Sequence, residues 1–420
     1  MPEPAQRARV LFFGEAATLS HVARPAVLAA SLPAAEYEVR LACHPRFGHL
    51  FSAFPFSWTP LDSAASEAVL ANARQGRSLF DLATLDRYVQ EDLRLIREFS
   101  PDVVAGDLRM SLSVSCRLSG VPYINIINAQ WSPYCGCAVE FPENPLRDFL
   151  PGPAADLLMD LARPLGSALY CFPLNAVRMR YGLPPVSHDI KEQMCDGDYV
   201  VHPDVPELVP ARALPPRHRY LGPVLWSPQG APPPWWDAVP RDKPVVYINL
   251  GSSGQEGLLA TVLRALADLP VFVIAASAAR CRIANPPKNA FLADYLPGEQ
   301  AVRRAQLFVS NGGTMSGQQS LCAGVPVLGL VTHADQLAFA KAVRAAGAGE
   351  VLSAARAEAP AIAQTVRSML SRVSYAQAAR RLSAALSRYD APSRFLALIR
   401  EIRPGEKRYE ARAACNMARA

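Results

Sequence analysis

Residues 311–316, Asn-Gly-Gly-Thr-Met-Ser, could hold an anion. The apolar run Gln306-Leu307-Phe308-Val309 before them has buried-strand length, and residues 314–323 after them keep helical spacing up to a left-handed stop at Gly324. A helix N-terminus leaves backbone N–H groups without partners and carries partial positive charge, so it draws phosphate oxygens. Gly312 and Gly313 remove the Cβ atoms that would keep an anion off that backbone, and Thr314 and Ser316 add hydroxyl donors. Two glycines also let a strand turn tightly into a helix, and on these residues alone that plainer reading stands. A second apolar strand at 325–330 leads through a polar loop to Asp335-Gln336 and a helix of small residues that runs to Gly347. A strand, glycine turn, helix, strand, loop and helix in this order read as a nucleotide site.

Asn-Gly-Gly-Thr-Met-Ser at 311–316, Ala-Gly-Val-Pro-Val-Leu at 323–328 and Asp335-Gln336 together resemble the donor signature of the UDP-glycosyltransferase superfamily. The bacterial members that decorate macrolides and flavonoids are the nearest pattern. The resemblance implies an α/β, GT-B fold, two Rossmann-like domains facing across a cleft. It implies donor contacts at Gly251, Ser252 and Ser253, and at Tyr295, where the base ring would stack. It further implies Asn311, Gly312, Gly313 and Thr314 on the diphosphate, and Asp335 and Gln336 on sugar hydroxyls. The family's usual His before Gly-Gly is Asn311 here, whose amide donates but carries no charge. Either phosphate binding is weaker for that reason, or a neighbouring Arg303 or Arg304 makes up the charge.

The elements before this unit must supply the other reactant. Residues 9–13 read as a buried strand, 14–20 as a loop of small residues, and a helix follows from His21, with the next strand at 37–43. That is the start of a parallel sheet, whose ligands sit beyond the carboxyl ends of its strands. His21 lies at such an end, where a lone histidine is commonly a helix cap. Ser-His-Val-Ala-Arg-Pro at 20–25 resembles the superfamily's Gly-His-x-x-Pro, with Ser20 in place of Gly and Pro25 one residue late. The resemblance makes His21 the general base. Asp107 ends a strand at 103–106 that follows a long amphipathic helix at 82–99. Its plain role is to cap a helix from Arg109; the resemblance implies that it orients the imidazole.

The resemblance also places the acceptor pocket after the strand at 121–128. Trp131, Tyr134 and Phe141, with Leu150, Leu157 and Met159, could line an apolar cleft there, within an irregular proline-rich stretch of short helices.

With 420 residues, 50% hydrophobic and 19% charged, the chain suits two domains of ordinary size. The reading is an N-terminal acceptor domain at 1–225, a linker at 226–243, a donor domain at 244–388, and a last helix and tail at 389–420 that cross back to the first domain. No apolar run reaches the ~18 residues of a membrane span, and residues 1–14 lack a secretory core, so a cytoplasmic location is expected. Nine scattered cysteines fit reduced thiols rather than a disulfide or zinc framework. The net charge of +6 collects at 372–419, which reads as a solvated helix and tail or as contact with an anionic membrane surface. Nothing resembles a nucleic-acid module. The expected activity is metal-independent, inverting transfer of a sugar from a UDP- or dTDP-sugar to a hydroxyl of a small lipophilic or aromatic acceptor. The nucleotide sugar is a co-substrate, and no cofactor is expected. Alternatives are a glycolipid-forming transferase at a membrane surface, a sugar-nucleotide epimerase, and a non-catalytic sugar-nucleotide binder.

Overall fold

The computed structural model describes residues 7–51, 54–142, 149–227, 230–251, 257–277 and 283–402. Ser252 and Ser253, and residues 403–419 of the basic C-terminal stretch, lie outside them.

Val10, Leu11, Phe12 and Phe13 are fully buried in β1 (Ala8–Gly14), as a strand covered on both faces requires. Around it stand β2 (Tyr37–Cys43), β3 (Ser57–Pro60), β4 (Val103–Asp107), β5 (Tyr123–Ile126), β6 (Tyr199–His202) and β7 (His218–Tyr220). They pair in the order β3-β2-β1-β4-β5-β6-β7, every pair parallel. The second sheet contains β8 (Val245–Asn249), β9 (Phe272–Ala276), β10 (Ala290–Ala293), β11 (Leu307–Ser310), β12 (Val327–Val331) and β13 (Gly349–Ser353). Its order is β10-β9-β8-β11-β12-β13, again all parallel. In both sheets the order reverses beside the first strand, which opens a crevice at the carboxyl ends on either side.

Register sets the first sheet's contribution. Gly14 pairs with Asp107, so the loop leaving β1 starts beside that carboxylate. A Cβ on Gly14 would lie 2.9 Å from the Val22 Cα, so only glycine lets the helix Ser20–Ala30 fold back this closely. The last helix, Ala391–Glu401, buries Phe395, Leu398 and Ile399 in the first sheet's core, with the Phe395 ring 5.7 Å from that of Phe12. Arg400 pairs with Glu36, and Glu401 with Arg219, at its end.

Two local expectations change. The stretch read as irregular is largely one helix of 29 residues, Gly152–Arg180, with Pro164 and Pro173 inside it. Tertiary packing of Tyr170, Cys171, Leu174 and Val177 on one face outweighs the ~3 kcal/mol that each interior proline costs. The other face carries Leu157, Leu161, Leu165, Leu169 and Phe172 outward into solvent. The helix after β4 begins at Leu112 rather than Arg109, because Leu108 takes φ +58° and Arg109 is turned into the core. Among the described residues no helix is long and apolar enough to cross a membrane.

Candidate active site

His21 enters at the first turn of the helix Ser20–Ala30, its side chain 20% exposed. Its Nδ1 lies 2.7 Å from Asp107 Oδ1. A carboxylate at that distance accepts a proton-bearing nitrogen, so Nδ1 carries the hydrogen and Nε2 keeps its lone pair. Asp107 is fully buried, and a buried carboxylate needs a compensating charge. Arg24, three residues beyond His21 on the same helix and 4% exposed, supplies it. Its Nε donates to Asp107 Oδ2 at 2.7 Å and its Nη2 to Oδ1 at 2.9 Å.

The loop that delivers His21 is pinned from below. Glu15, fully buried, accepts from Arg109 Nη1 at 3.1 Å, and the Arg109 Nε donates to buried Asp92 at 3.0 Å. The guanidinium also stacks 3.6 Å over the Tyr88 ring. Burial pushes the Glu15 and Asp92 carboxyls up from their ordinary values, and Arg109 opposes this in both.

In the second sheet, β11 ends at Ser310 and the chain turns through Asn311 and Gly312 into the helix Thr314–Cys322. Gly312 has φ +79°, the left-handed region that glycine reaches without strain. The amides free for an anion differ from those expected. The Gly312 N–H donates to Ser310 Oγ at 3.0 Å, and the Gly313 N–H to Asn311 Oδ1 at 3.1 Å. The Gly317 N–H begins the helix by donating to the Gly313 carbonyl. Thr314, Met315 and Ser316 therefore present the amides that have no acceptor inside the helix. Asn311, its Oδ1 turned to Gly313, sets Nδ2 toward Gly251, where an added Cβ would lie 3.1 Å away.

His21, Gly251, Tyr295, Asn311, Gly313, Thr314, Asp335 and Gln336 line one cavity of about 1800 Å³ between the two sheets. Gly312 stands behind it, where an added Cβ would come within 2.7 Å of Val331 Cγ1. Gln336 Oε1 accepts from the Thr332 N–H at 2.8 Å and its hydroxyl at 2.9 Å. Asp335 Oδ1 accepts from Trp131 Nε1 at 2.7 Å and Gln130 Nε2 at 3.2 Å, both from the first domain.

The residues expected on the acceptor side divide. Trp131, Phe141 and Met159 line the cavity, as does Tyr170. Tyr134 does not; it stands edge-on to His218 at 5.3 Å. Leu150 and Leu157 point to solvent. The charge sought from Arg303 or Arg304 is also elsewhere. Arg303 pairs with Glu299 on the exposed face of its own helix. Arg304 lies 4.5 Å over Trp236, whose carbonyl it reaches at 2.6 Å.

Sequence reasoning missed Arg24, Asn128, Gln130 and His333. Arg24 was findable, since residues three apart on a helix face each other. Asn128, 5% exposed, bonds Arg24 through its Oδ1 and donates through Nδ2 to Thr314 Oγ1 at 3.1 Å. His333 lines the cavity before Asp335, and burial holds its imidazole below the ordinary value, so it is neutral near pH 7. Asp204, fully buried near the same turn, accepts from the Ala129 N–H at 2.7 Å and from Gln318 Nε2 at 2.7 Å, another tie between the halves.

Residues 260–397 match the family described as erythromycin biosynthesis protein CIII-like, C-terminal domain. A "PGL/p-HBAD biosynthesis glycosyltransferase" of Mycobacterium tuberculosis (strain ATCC 25177 / H37Ra) is 50% identical over 385 residues, 91% of this chain and 90% of the relative. A "PGL/p-HBAD biosynthesis rhamnosyltransferase" of Mycobacterium bovis (strain BCG / Pasteur 1173P2) is 48% identical, over 91% of this chain and 85% of the relative. Among solved structures, the spinosyn rhamnosyltransferase SpnG complexed with thymidine diphosphate superposes with a TM-score of 0.68 at 20% identity. It covers 94% of this chain and 100% of that chain. That last likeness speaks to the fold, which is GT-B. With half its residues shared across nine-tenths of a named relative, the chain belongs to the GT-B glycosyltransferases and is a glycosyltransferase of the family that contains these mycobacterial enzymes.

Proposed function

We propose that the protein moves a sugar from a nucleoside diphosphate sugar, dTDP- or UDP-linked, to a hydroxyl of a small lipophilic or aromatic acceptor, with inversion at the anomeric carbon. The observation that carries this reading is that His21 Nε2 and the open amides of Thr314, Met315 and Ser316 come from opposite sheets to the same cavity. His21 takes the acceptor's proton as its oxygen attacks, which typically contributes ~10²–10⁴ in rate. The bond to the diphosphate breaks on the far side of the anomeric carbon. Charge gathering on the departing oxygen is met by the helix amides, the Thr314 hydroxyl and the Asn311 amide, fixed donors that need no reorganisation. Tyr295, 63% exposed at the cavity rim, offers a face for the base. Asp335 and Gln336 hold sugar hydroxyls. The relatives' names support sugar transfer, and the SpnG complex with thymidine diphosphate supports a dTDP-linked donor. No resident cofactor enters the scheme.

The test is His21→Ala. Transfer should fall at least a hundredfold while calorimetry shows nucleoside diphosphate still bound. Near-normal transfer removes His21 as the base, and product from donor alone turns the reading to an epimerase. Mass spectrometry of products from a panel of phenols, polyketides and lipids, with NMR of the new anomeric centre, identifies the acceptor class and the stereochemistry.

A second reading, transfer to a lipid-borne acceptor at a membrane surface, is favoured by the exposed row from Leu157 to Phe172 on the helix whose other side borders the cavity. Flotation with liposomes, lost when Leu161 and Leu165 become Gln, supports it; no flotation of the unaltered protein dismisses it.

A further inference from the structure

The His21–Asp107 pair is not isolated. Arg24 spends two donors on Asp107, its Nη1 donates to Asn128 Oδ1, and Asn128 Nδ2 donates to Thr314. A continuous line of side-chain bonds thus runs from the imidazole, through a carboxylate, a guanidinium and an amide, to the first residue of the donor-side helix.

One contact in this line creates a choice. Arg24 Nη2 lies 3.1 Å from His21 Nδ1, close enough to donate to that nitrogen. Were it to do so, Nδ1 would be the lone-pair nitrogen and the proton would sit on Nε2, where it blocks uptake of a proton from any acceptor. With Nδ1–H donated to Asp107 Oδ1 at 2.7 Å, Nε2 stays open. Which state holds depends on where the guanidinium rests. Here its fork meets both Asp107 oxygens while Nη1 donates to Asn128 Oδ1.

We propose that Arg24 is a positioning residue for the base: gripped by Asn128, it holds the Asp107 carboxylate in the orientation that receives the Nδ1 proton of His21, and the Asn128–Thr314 bond registers that orientation against the donor-side helix. The inference rests on His21 being the base. It predicts that the base is set only when the two halves stand as they do here, because Asn128 belongs to the first domain and Thr314 to the second.

The charged groups that meet His21 are Asp107 from β4, Arg24 from its own helix and His333 from the donor-side loop. Burial keeps His333 neutral near pH 7, so the balance at His21 is between Asp107 and Arg24. Removing the guanidinium leaves Asp107 facing the imidazole alone and favours the protonated ring.

The experiment uses the full chain. Arg24→Met should lower kcat/KM about a hundredfold at pH 7 and move the acidic limb of its pH profile upward by about one unit, with partial recovery at high pH. Arg24→Lys should return the limb toward its original place without restoring full kcat, since an ammonium supplies charge but no fork. Asn128→Ala should cost about tenfold in kcat while dTDP or UDP binding by calorimetry stays within about twofold. In ¹⁵N-histidine NMR, with His21 assigned from the His21→Ala spectrum, Asn128→Ala should move proton occupancy from Nδ1 toward Nε2. A limb that stays put in Arg24→Met, with activity lost equally at every pH, or an unchanged His21 spectrum in Asn128→Ala, overturns the inference. If His21→Ala itself retains transfer, the underlying reading fails instead, so the two failures are distinguishable.

Discussion

The indole N–H of Trp131 lies 2.7 Å from Asp335 Oδ1, across the cleft from the domain that carries it. The ring therefore does more than line the cavity: its N–H holds the Asp335 carboxylate, which the proposed function sets on the donor sugar. Gln130 adds a second donor to the same oxygen. Asn128 and Trp131 of the first domain thus both line the cavity, and each bonds a residue of the second, Thr314 and Asp335.

Trp131→Phe keeps the ring and removes this bond. A hydrogen bond to a charged group contributes about 1.5–3 kcal/mol, so the donor KM should rise about tenfold or more. Steady-state kinetics with the donor varied at saturating acceptor measures it. An unchanged donor KM would detach Asp335 from sugar recognition.

Asp107→Asn keeps the shape and deletes the charge. It should lower kcat by about 10²–10⁴, because the amide no longer enforces the Nδ1–H tautomer of His21. It also leaves the Arg24 guanidinium buried without its counter-ion, at a stability cost of about 3–5 kcal/mol. Urea unfolding alongside kcat separates the two effects.

Gly312→Ala tests the turn. At φ +79° an L side chain costs about 1–2 kcal/mol, and the new Cβ would meet Val331 Cγ1 at 2.7 Å and the Gln336 carbonyl at 3.0 Å. Stability should fall by at least that amount. Donor affinity should fall about tenfold as the turn shifts the helix amides. Calorimetry with a nucleoside diphosphate checks this.

Asp204 gives stability a pH signature. Burial pushes its carboxyl up to about 6 from the ordinary 3.8, against the opposing Ala129 N–H, Arg24 and Gln318. A folded-state value above the unfolded one means that the folded protein holds this proton more tightly. The group's favourable contribution is therefore present below about pH 4 and is lost as pH rises through about 6, by up to about 3 kcal/mol. In Asp204→Asn that dependence should vanish, so the stability of the native protein relative to the variant should decline between pH 4 and 6. A difference that is flat across that window would contradict the assignment.

What is local was legible in the order of the residues. Apolar runs of strand length, the Gly312-Gly313 turn and the helix behind it depend on residues within a few positions of one another, and backbone sterics read them directly. Even there, which amides stay open was hidden, because the Ser310 and Asn311 side chains occupy those of Gly312 and Gly313. Tertiary structure decided the rest. Asp107 reaches His21 through the β1–β4 register, Asn128 meets Thr314 across 186 positions, and Trp131 meets Asp335 across 204. The helix Gly152–Arg180 overrides two prolines for the same kind of reason. Chain neighbours set local conformation, whereas burial of apolar surface sets which distant polar groups must find one another, and burial is a property of the whole fold.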